Sequence, residues 1–388
     1  MKIALVVCGS RGDVQPMVAL ALGLVRAGHE VMLHGPPESE PLAQAHGCPF
    51  APLGAGTRGN QALAAGGMKA FSAFIRQELA TQIDALPSRL SGTDLVLGSG
   101  LVFGAPTAAE RVKARYRYVA LSPATILGTD RDAWFMRAVG WLMGRLANSA
   151  YLAAVNDKRK PLGLPAVANV LPHWMGARPI AATDAALTAL PEGVTLHAEQ
   201  TGYLTMPASG ALDPALDRFL QAGPAPIYVG FGSMPLRDPA RTLAALRSVA
   251  RNLKRRLLVC SGWGGLRDAE GGDDVLVVEE APHALVFPKV AAVVHHGGAG
   301  TVAAAGRAGV PQVVLPKMAD QFEWQKQVVK LGLGPKAPRF DALSAGNLKR
   351  ALETCLADAR YANRAREIAA RLAGTDGVAL TVRAVEQC

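Results

Sequence analysis

A chain of 388 residues, half of them hydrophobic, exceeds the size at which a single core usually keeps growing, so its length predicts two domains. The formal net charge of +10 comes from scattered Lys and Arg residues, and only 5% of the residues are aromatic, which argues against a nucleic-acid-binding protein. The five cysteines are odd in number and lack zinc-site spacing, so neither a disulfide framework nor a zinc site is expected.

The first half of the chain alternates short apolar runs with longer helical patterns, which is typical of βαβ units around a parallel sheet. The predicted strands cover residues 3–7, 30–34, 94–98 and 118–121, and the predicted helices cover 17–27 and 70–86. The first apolar run is too short for the core of a signal peptide, so we expect a cytoplasmic protein.

Residues 133–155 come closest to a membrane-spanning pattern. Arg137, Arg145 and Asn148 interrupt this stretch, and a spanning helix tolerates such residues poorly. We therefore predict an amphipathic helix, with membrane contact that is at most peripheral.

The second half repeats the same pattern after a Pro- and Gly-rich connection. Residues 221–234 read as a strand and a glycine turn, 239–253 as a helix, 256–260 as a strand, and 291–316 as strand, glycine turn, helix and strand. The predicted fold class is therefore α/β, with two tandem Rossmann-like, doubly wound parallel-sheet domains.

These domains are predicted at 1–205 and 225–388, with a linker at 206–224 and a last helix that packs back on the first domain. A ligand cleft is expected between the domains, at the carboxyl ends of the strands.

The stretch HHGGAGT at 295–301 follows an apolar strand and opens a helix. Its glycines let the backbone approach a ligand closely, and the first turn of the helix offers unpaired N–H groups that suit a phosphate. His296 can donate a charge-assisted hydrogen bond, and Thr301 can add its hydroxyl group. The alternative is a glycine turn needed only for close packing, but two adjacent histidines have no evident packing role.

Three other strand ends of the second half carry polar or aromatic residues. Ser233 lies in FGSM, Trp263 in CSGWGG, and Asp320 with Gln321 in LPKMADQ. Ser233, Asp320 and Gln321 suit ligand binding or helix capping. Trp263 suits either cover for a planar base or an ordinary buried aromatic position.

The turn GSRGDVQP, which follows the first strand, places Asp13 at the start of a helix. Asp13 is either a general base for a bound hydroxyl group or the N-cap of a helix at 14–27. Arg11 is close enough in sequence to pair with Asp13 and lower its basicity.

In this order and spacing, GSRGDVQP, YVGFGS, SGWGG, HHGGAGT and LPKMADQ resemble the motifs of family 1 glycosyltransferases with the GT-B fold. The resemblance is strongest to the bacterial enzymes that glycosylate natural products such as glycopeptide antibiotics, and to the related sterol glucosyltransferases. It extends over nearly the whole chain. It implies a metal-independent hexosyltransferase that needs no cofactor and takes a UDP- or dTDP-sugar as co-substrate.

The resemblance also implies roles for individual residues around this donor. Asp13 would be the general base. The other predicted site residues would bind the donor: Ser10, Arg11, Gly12, Ser233, His296, Gly298, Ala299, Gly300 and Thr301 around the diphosphate, Trp263, Glu280, Ala281 and His283 around the nucleobase, and Asp320 and Gln321 at the sugar hydroxyls.

The implied reaction is transfer with inversion to a hydroxyl group of a small hydrophobic acceptor, such as a natural product, a sterol or a lipid, by a monomer or homodimer. Residues 54–75 and 122–150 would select the acceptor. A nucleotide-sugar epimerase of the same fold and a non-catalytic nucleotide-sugar-binding protein are the alternatives. A dinucleotide-dependent oxidoreductase is disfavoured because the first turn does not read GxGxxG and no acidic residue ends the second strand. The DRD sequence at 130–132 lies in a predicted loop and is assigned no metal.

Overall fold

The structure, a computed structural model, describes residues 1–56, 67–122, 125–126, 142–190, 197–207, 210–232, 234, 236, 238–262, 266, 272–318 and 320–387. Within them, the strands are β1 Lys2–Cys8, β2 Glu30–Gly35, β3 Phe50–Pro52, β4 Leu95–Gly100, β5 Arg115–Ala120, β6 Ile180–Ala181, β7 Glu199–Gln200, β8 Ile227–Gly230, β9 Leu257–Cys260, β10 Val275–Val278, β11 Ala292–His295 and β12 Gln312–Val314.

The α-helices of the described residues are α1 Arg11–Arg26, α2 Glu40–Ala45, α3 Gly67–Arg89, α4 Ala105–Arg111, α5 Ala153–Arg159, α6 Val170–Met175, α7 Pro214–Gln221, α8 Pro239–Asn252, α9 His283–Val286, α10 Ala299–Ala308, α11 Gln321–Lys330, α12 Ala345–Ala357, α13 Ala359–Leu372 and α14 Gly377–Glu386. None of the helices within the described ranges is long and apolar enough to cross a membrane.

The chain divides into two compact units. Unit 1 comprises Met1–Ala185, Ala189–Met206 and Asp376–Cys388, and unit 2 comprises Ala186–Thr188 and Pro207–Thr375. The segment 206–224, expected to be a linker, contains α7 of unit 2. Asp213 caps this helix by accepting hydrogen bonds from the backbone N–H groups of Ala215 and Leu216.

Unit 1 is built on a parallel sheet with the strand order β3-β2-β1-β4-β5-β6-β7. The chain winds outward in opposite directions from β1 and β4, so the carboxyl ends of these two strands form the switch point at which such sheets bind ligands. Cys8 and Gly100, the last residues of the two strands, are register partners there.

The first helix, α1, begins earlier than the sequence indicated. Ser10 is its N-cap, in extended conformation, and Asp13 is the third helical residue, whose side chain accepts a hydrogen bond from the backbone N–H of Ser10. The expectation that Asp13 caps a helix starting at residue 14 is therefore wrong. Farther along, α1 buries residues at helical spacing, among them Met17, Leu20 and Leu24, against the sheet.

The C-terminal helix, α14, packs against α1 in unit 1. Its Val378, Val382 and Val385 belong to the same core cluster as the buried face of α1. The two helices lie close together, because a Cβ atom at Gly23 of α1 would overlap the Val378 side chain of α14.

Unit 2 is built on a second parallel sheet, with the strand order β10-β9-β8-β11-β12. Here the switch point lies between β8 and β11, where Gly230 and His295 are register partners. Two Rossmann-like units with parallel sheets confirm the predicted fold class.

Candidate active site

In unit 2, the turns that leave β8 and β11 meet at the switch point. A Cβ atom at Gly232, after β8, would lie 3.1 Å from Cε1 of His296, after β11. A Cβ atom at Gly262, after β9, would overlap the carbonyl oxygen of Gly232. The carboxyl ends of three neighbouring strands are therefore in contact, with glycine at the points of closest approach.

The imidazole of His296 is largely enclosed by these turns. Its Nδ1 is buried and makes no hydrogen bond within the described part of the chain. Burial lowers the pKa of His296 to about 4, and the neighbouring Gly230 backbone offsets a smaller part of this effect. The ring is thus neutral near pH 7, and the charge-assisted hydrogen bond to a phosphate expected from the sequence requires the bound anion to raise this pKa.

The N-terminus of α10 lies next to the His296 ring. Gly298, in extended conformation, is its N-cap, and helix geometry leaves the N–H groups of Ala299 and Gly300 without an intrahelical acceptor. The N–H of Thr301 already donates to the Gly298 carbonyl, at 3.0 Å. Thr301 therefore offers its hydroxyl group, and the two preceding residues offer backbone N–H groups with the positive end of the helix dipole.

The first histidine of the pair, His295, has the packing role that the sequence did not indicate. It is fully buried, its Nε2 lies 3.0 Å from Oε1 of Gln312, and its Nδ1 accepts the N–H of Gly297 at 3.1 Å. The inference that neither adjacent histidine serves packing is wrong for this residue.

The predicted sugar-binding pair lies beside the glycine turn. A Cβ atom at Gly297 would lie 3.1 Å from the carbonyl oxygen of Gln321. Oε1 of Gln321 accepts the backbone N–H groups of Lys317 and Met318, at 2.9 and 3.1 Å, which leaves its amide nitrogen as the group suited to a ligand. Asp320 occupies the N-cap position of α11, but its side chain makes no capping hydrogen bond there, so capping does not explain the aspartate.

The segment expected at the nucleobase follows β10. Glu280 is exposed and Ala281 is half-buried. The ring of His283 stacks on Phe287, with centroids 4.3 Å apart, and its Nε2 lies 3.0 Å from the Tyr228 hydroxyl. These two contacts fix the orientation of the half-buried His283 ring, and with it the edge that could contact a nucleobase. Trp263 and Ser233 lie outside the described residues, as do residues 57–66, 123–124 and 127–141 of the segments expected to select the acceptor.

In unit 1, the side chain of Asp13 folds back over the turn that follows β1. Its Oδ2 accepts hydrogen bonds from the backbone N–H of Ser10, at 2.8 Å, and from the Ser10 hydroxyl, at 3.1 Å. A Cβ atom at Gly9 would overlap this carboxylate. No role was predicted for Gly9, whose lack of a side chain makes room for the aspartate.

The negative charge of Asp13 affects the pKa values of two buried tyrosine side chains of unit 1. Burial raises the pKa of Tyr118 and of Tyr203 well above the ordinary range, and the negative charge of Asp13 raises both further. Arg11 and Gly12 are exposed on the first turn of α1, where Nε of Arg11 donates to Oε1 of Gln15 at 3.4 Å. Asp13 itself is half-buried, and the two hydrogen bonds from Ser10 hold its carboxylate in place.

The two switch points carry complementary chemistry. Unit 2 offers backbone N–H groups, hydroxyl and imidazole groups for an anion, and unit 1 offers a carboxylate. Two Rossmann-like units, each with a parallel sheet, are the architecture of the GT-B fold. The solved structure of the glycosyltransferase VinC in complex with dTDP has this fold, with a TM-score of 0.72 at 19% identity and coverage of 100% of this chain and 99% of that one.

Similarity to known proteins extends over both units. Residues 3–108 match the family described as glycosyltransferase family 28 N-terminal domain, and residues 269–380 match the family described as erythromycin biosynthesis protein CIII-like, C-terminal domain. The vancomycin aglycone glucosyltransferase of Amycolatopsis orientalis is 34% identical over 99% of this chain and 96% of its own length. The sterol 3-beta-glucosyltransferase UGT80B1 of Arabidopsis thaliana is 29% identical over 99% of this chain and 67% of its own length. The chain belongs to the family 1 glycosyltransferases of the GT-B fold and is a glycosyltransferase.

Proposed function

We infer that this enzyme transfers a hexose from a UDP- or dTDP-sugar, with inversion at the anomeric carbon, to a hydroxyl group of a hydrophobic natural product, sterol or lipid. The observation that carries this inference is the turn after β11: a buried imidazole nitrogen without a partner among the described residues and two N–H groups at the start of α10 lie at the switch point of unit 2. The relatives named above act on the vancomycin aglycone and on a sterol, which supports a natural-product or sterol acceptor.

In the proposed reaction, the Asp13 carboxylate accepts the proton of the acceptor hydroxyl group while that oxygen attacks the anomeric carbon. The bond from this carbon to the diphosphate breaks through a transition state with oxocarbenium character. Charge develops on the leaving diphosphate, and the N–H groups of Ala299 and Gly300, the Thr301 hydroxyl and His296 would stabilise it. The donor would also contact Ser233, Trp263 and His283, and its sugar would contact Asp320 and Gln321.

The test is a product screen by mass spectrometry, with several UDP- and dTDP-sugars against a panel of aglycones. A glycosylated product whose formation requires the aglycone supports the transferase. Conversion of free nucleotide sugar without any aglycone would instead identify an epimerase, and binding of donor without any product would identify a non-catalytic binding protein.

Replacement of the proposed base tests its role. Asp13→Asn should lower kcat by about 100-fold or more, since a general base commonly contributes that much, while the calorimetric affinity for the nucleotide stays unchanged. The matched control is Asp273→Asn, at an exposed position before β10, which should retain activity. Full activity of Asp13→Asn would refute the assignment.

A further inference from the structure

His295 lies beneath the proposed phosphate turn and has no exposed surface. It ends β11, and both of its ring nitrogens have partners on other segments: Nδ1 receives the N–H of Gly297, and Nε2 lies against Oε1 of Gln312 on β12. The amide nitrogen of Gln312 in turn lies 3.5 Å from the carbonyl oxygen of Val302, in the first turns of α10. The imidazole therefore links the sheet to the turn that precedes the helix.

These hydrogen bonds fix the tautomer of the ring. A backbone N–H can only donate, so Nδ1 of His295 is the acceptor and the proton of the neutral ring resides on Nε2, from which it is donated to Gln312. Burial, aided by the nearby His296, lowers the pKa of His295 to about 3, so the ring stays neutral at physiological pH.

The residue that donates to Nδ1 is in a conformation that needs support. Gly297 has a φ of 96°, and a Cβ atom there would lie 2.9 Å from Cγ1 of Val314 and 3.1 Å from the Gln321 carbonyl oxygen. Gly297 is therefore confined between α11 and β12 on one side and the His295 ring on the other. Its N–H points inward to His295, which orients the next peptide groups, those of Gly298 and Ala299, at the open end of α10.

We propose that His295 is a positioning residue for donor binding: by accepting the Gly297 N–H, it holds the glycine turn so that the N–H groups at the start of α10 face the diphosphate. It touches no substrate. The proposal rests on the function inferred above, because it takes a nucleoside diphosphate as the ligand of this turn.

Two amide substitutions distinguish the roles of the two ring nitrogens of His295. In His295→Asn, the side-chain oxygen can occupy the place of Nδ1 and accept the Gly297 N–H, whereas in His295→Gln the amide reaches the place of Nε2 and leaves that N–H without its acceptor. We expect His295→Gln to weaken the affinity for UDP or dTDP, whichever the wild type binds, by about tenfold or more, as for one lost buried hydrogen bond. His295→Asn keeps an acceptor for the Gly297 N–H, so its affinity for the nucleotide should lie within about threefold of that of the wild type. The KM for the acceptor should be unchanged in both.

A control variant distinguishes positioning from general loss of stability. Leu348→Ala removes a buried side chain of α12 in unit 2 and should lower the melting temperature without changing the nucleotide affinity. Equal affinities of His295→Asn and His295→Gln would overturn the proposal, as would an equal loss of affinity in Leu348→Ala. Failure of the wild type to bind either nucleotide would instead overturn the proposed function.

The hydrogen bond itself can be observed in the wild-type protein, so the proposal does not depend on the folding of the variants. Nitrogen-15 spectra should show Nδ1 of His295 unprotonated and coupled to the Gly297 amide nitrogen across the hydrogen bond from pH 6 to 8. The addition of nucleotide should shift the amide signals of Gly297, Gly298 and Ala299 together. A ring protonated at Nδ1 overturns the proposal, and so does a Gly297 amide without this coupling.

Discussion

At the residue scale, the position of the Asp13 carboxylate depends on its two neighbours in the turn. Ser10 donates its backbone N–H and its hydroxyl to Oδ2, and Gly9 leaves the space that the carboxylate occupies. The same two hydrogen bonds that start α1 also orient the group proposed as the base. Helix capping and the proposed role as a base are therefore compatible in one arrangement.

The substitution Gly9→Ala tests this arrangement. The new Cβ atom would overlap the carboxylate and displace it, so kcat should fall by about tenfold or more, since a small misplacement of a catalytic group is costly. Nucleotide affinity measured by calorimetry should not change. The control is the double variant with Asp13→Asn: Gly9→Ala should have little further effect on kcat there, because the group on which it acts is already lost. Independent, multiplying effects would contradict the proposed coupling.

At the element scale, α14 completes the helical layer on one face of the unit 1 sheet. Its first residue, Gly377, lies against the backbone of Gly202 and Tyr203, and Thr381 Oγ1 lies 2.7 Å from Thr201 Oγ1. These contacts attach the end of the chain to the segment that follows β7. Unit 1 therefore depends on residues from both ends of the sequence.

A pair of glycine substitutions measures this attachment. Gly377→Ala should lower the free energy of unfolding by about 1–3 kcal/mol, because a Cβ atom would overlap the backbone of Gly202 and Tyr203. Gly346→Ala, near the start of α12 with no atom within 4 Å of the new Cβ, should be neutral or stabilise by up to about 1 kcal/mol through helix propensity. Urea unfolding of both variants provides the measurement. Equal stabilities would show that the packing of α14 is looser than described.

The strands that the sequence analysis assigned were predicted to within a few residues, because buried parallel strands are nearly continuous apolar runs, whereas β3, β6, β7 and β10 were not predicted. Predicted residues 30–34 correspond to β2 Glu30–Gly35, and 256–260 to β9 Leu257–Cys260. The start of α1 was not predicted, since residues 11–13 carry no apolar side chain and the helix there depends on the hydrogen bonds between Ser10 and Asp13. Periodicity detects the buried face of a helix but not its first turn.

The candidate site was predicted in part. The motifs placed His296 and Gln321 near the same switch point because strand-end turns of a parallel sheet share one edge. The role of His295 could not be predicted, since its partner Gln312 lies 17 residues away and becomes a neighbour only through the pairing of β11 with β12. A single sequence does not state which strands are adjacent. A histidine inside an apolar strand was the available signal.

At the scale of the whole molecule, buried histidines couple stability to pH. Burial lowers the pKa of His34, His173 and His296 to about 4 and that of His295 to about 3, from an ordinary value near 6.5. Between these values the unfolded chain binds protons that the folded chain does not, so stability is full above about pH 6.5 and decreases as the pH falls. Burial raises the pKa of Glu78 above its ordinary value near 4.5, which acts in the opposite direction as the pH falls toward that value.

The free energy of unfolding should change by about 1.4 kcal/mol per pH unit for each histidine that protonates only on unfolding. Urea unfolding at pH 7, 6 and 5 should therefore show a midpoint that decreases markedly toward pH 5. In His34→Leu the slope should be smaller by about a quarter, because one of four such groups is removed. A midpoint that is constant or increases from pH 7 to pH 5 would contradict the burial of these rings.

The return of α14 to unit 1 has a consequence for the order in which the protein matures on the ribosome. Most of unit 2 is one continuous stretch, Pro207–Thr375, and it is synthesised before the helix that completes the other unit. The half of the enzyme that is translated first is therefore the last to be completed. Until α14 has been synthesised, the surface of α1 that packs against its valines lacks this partner.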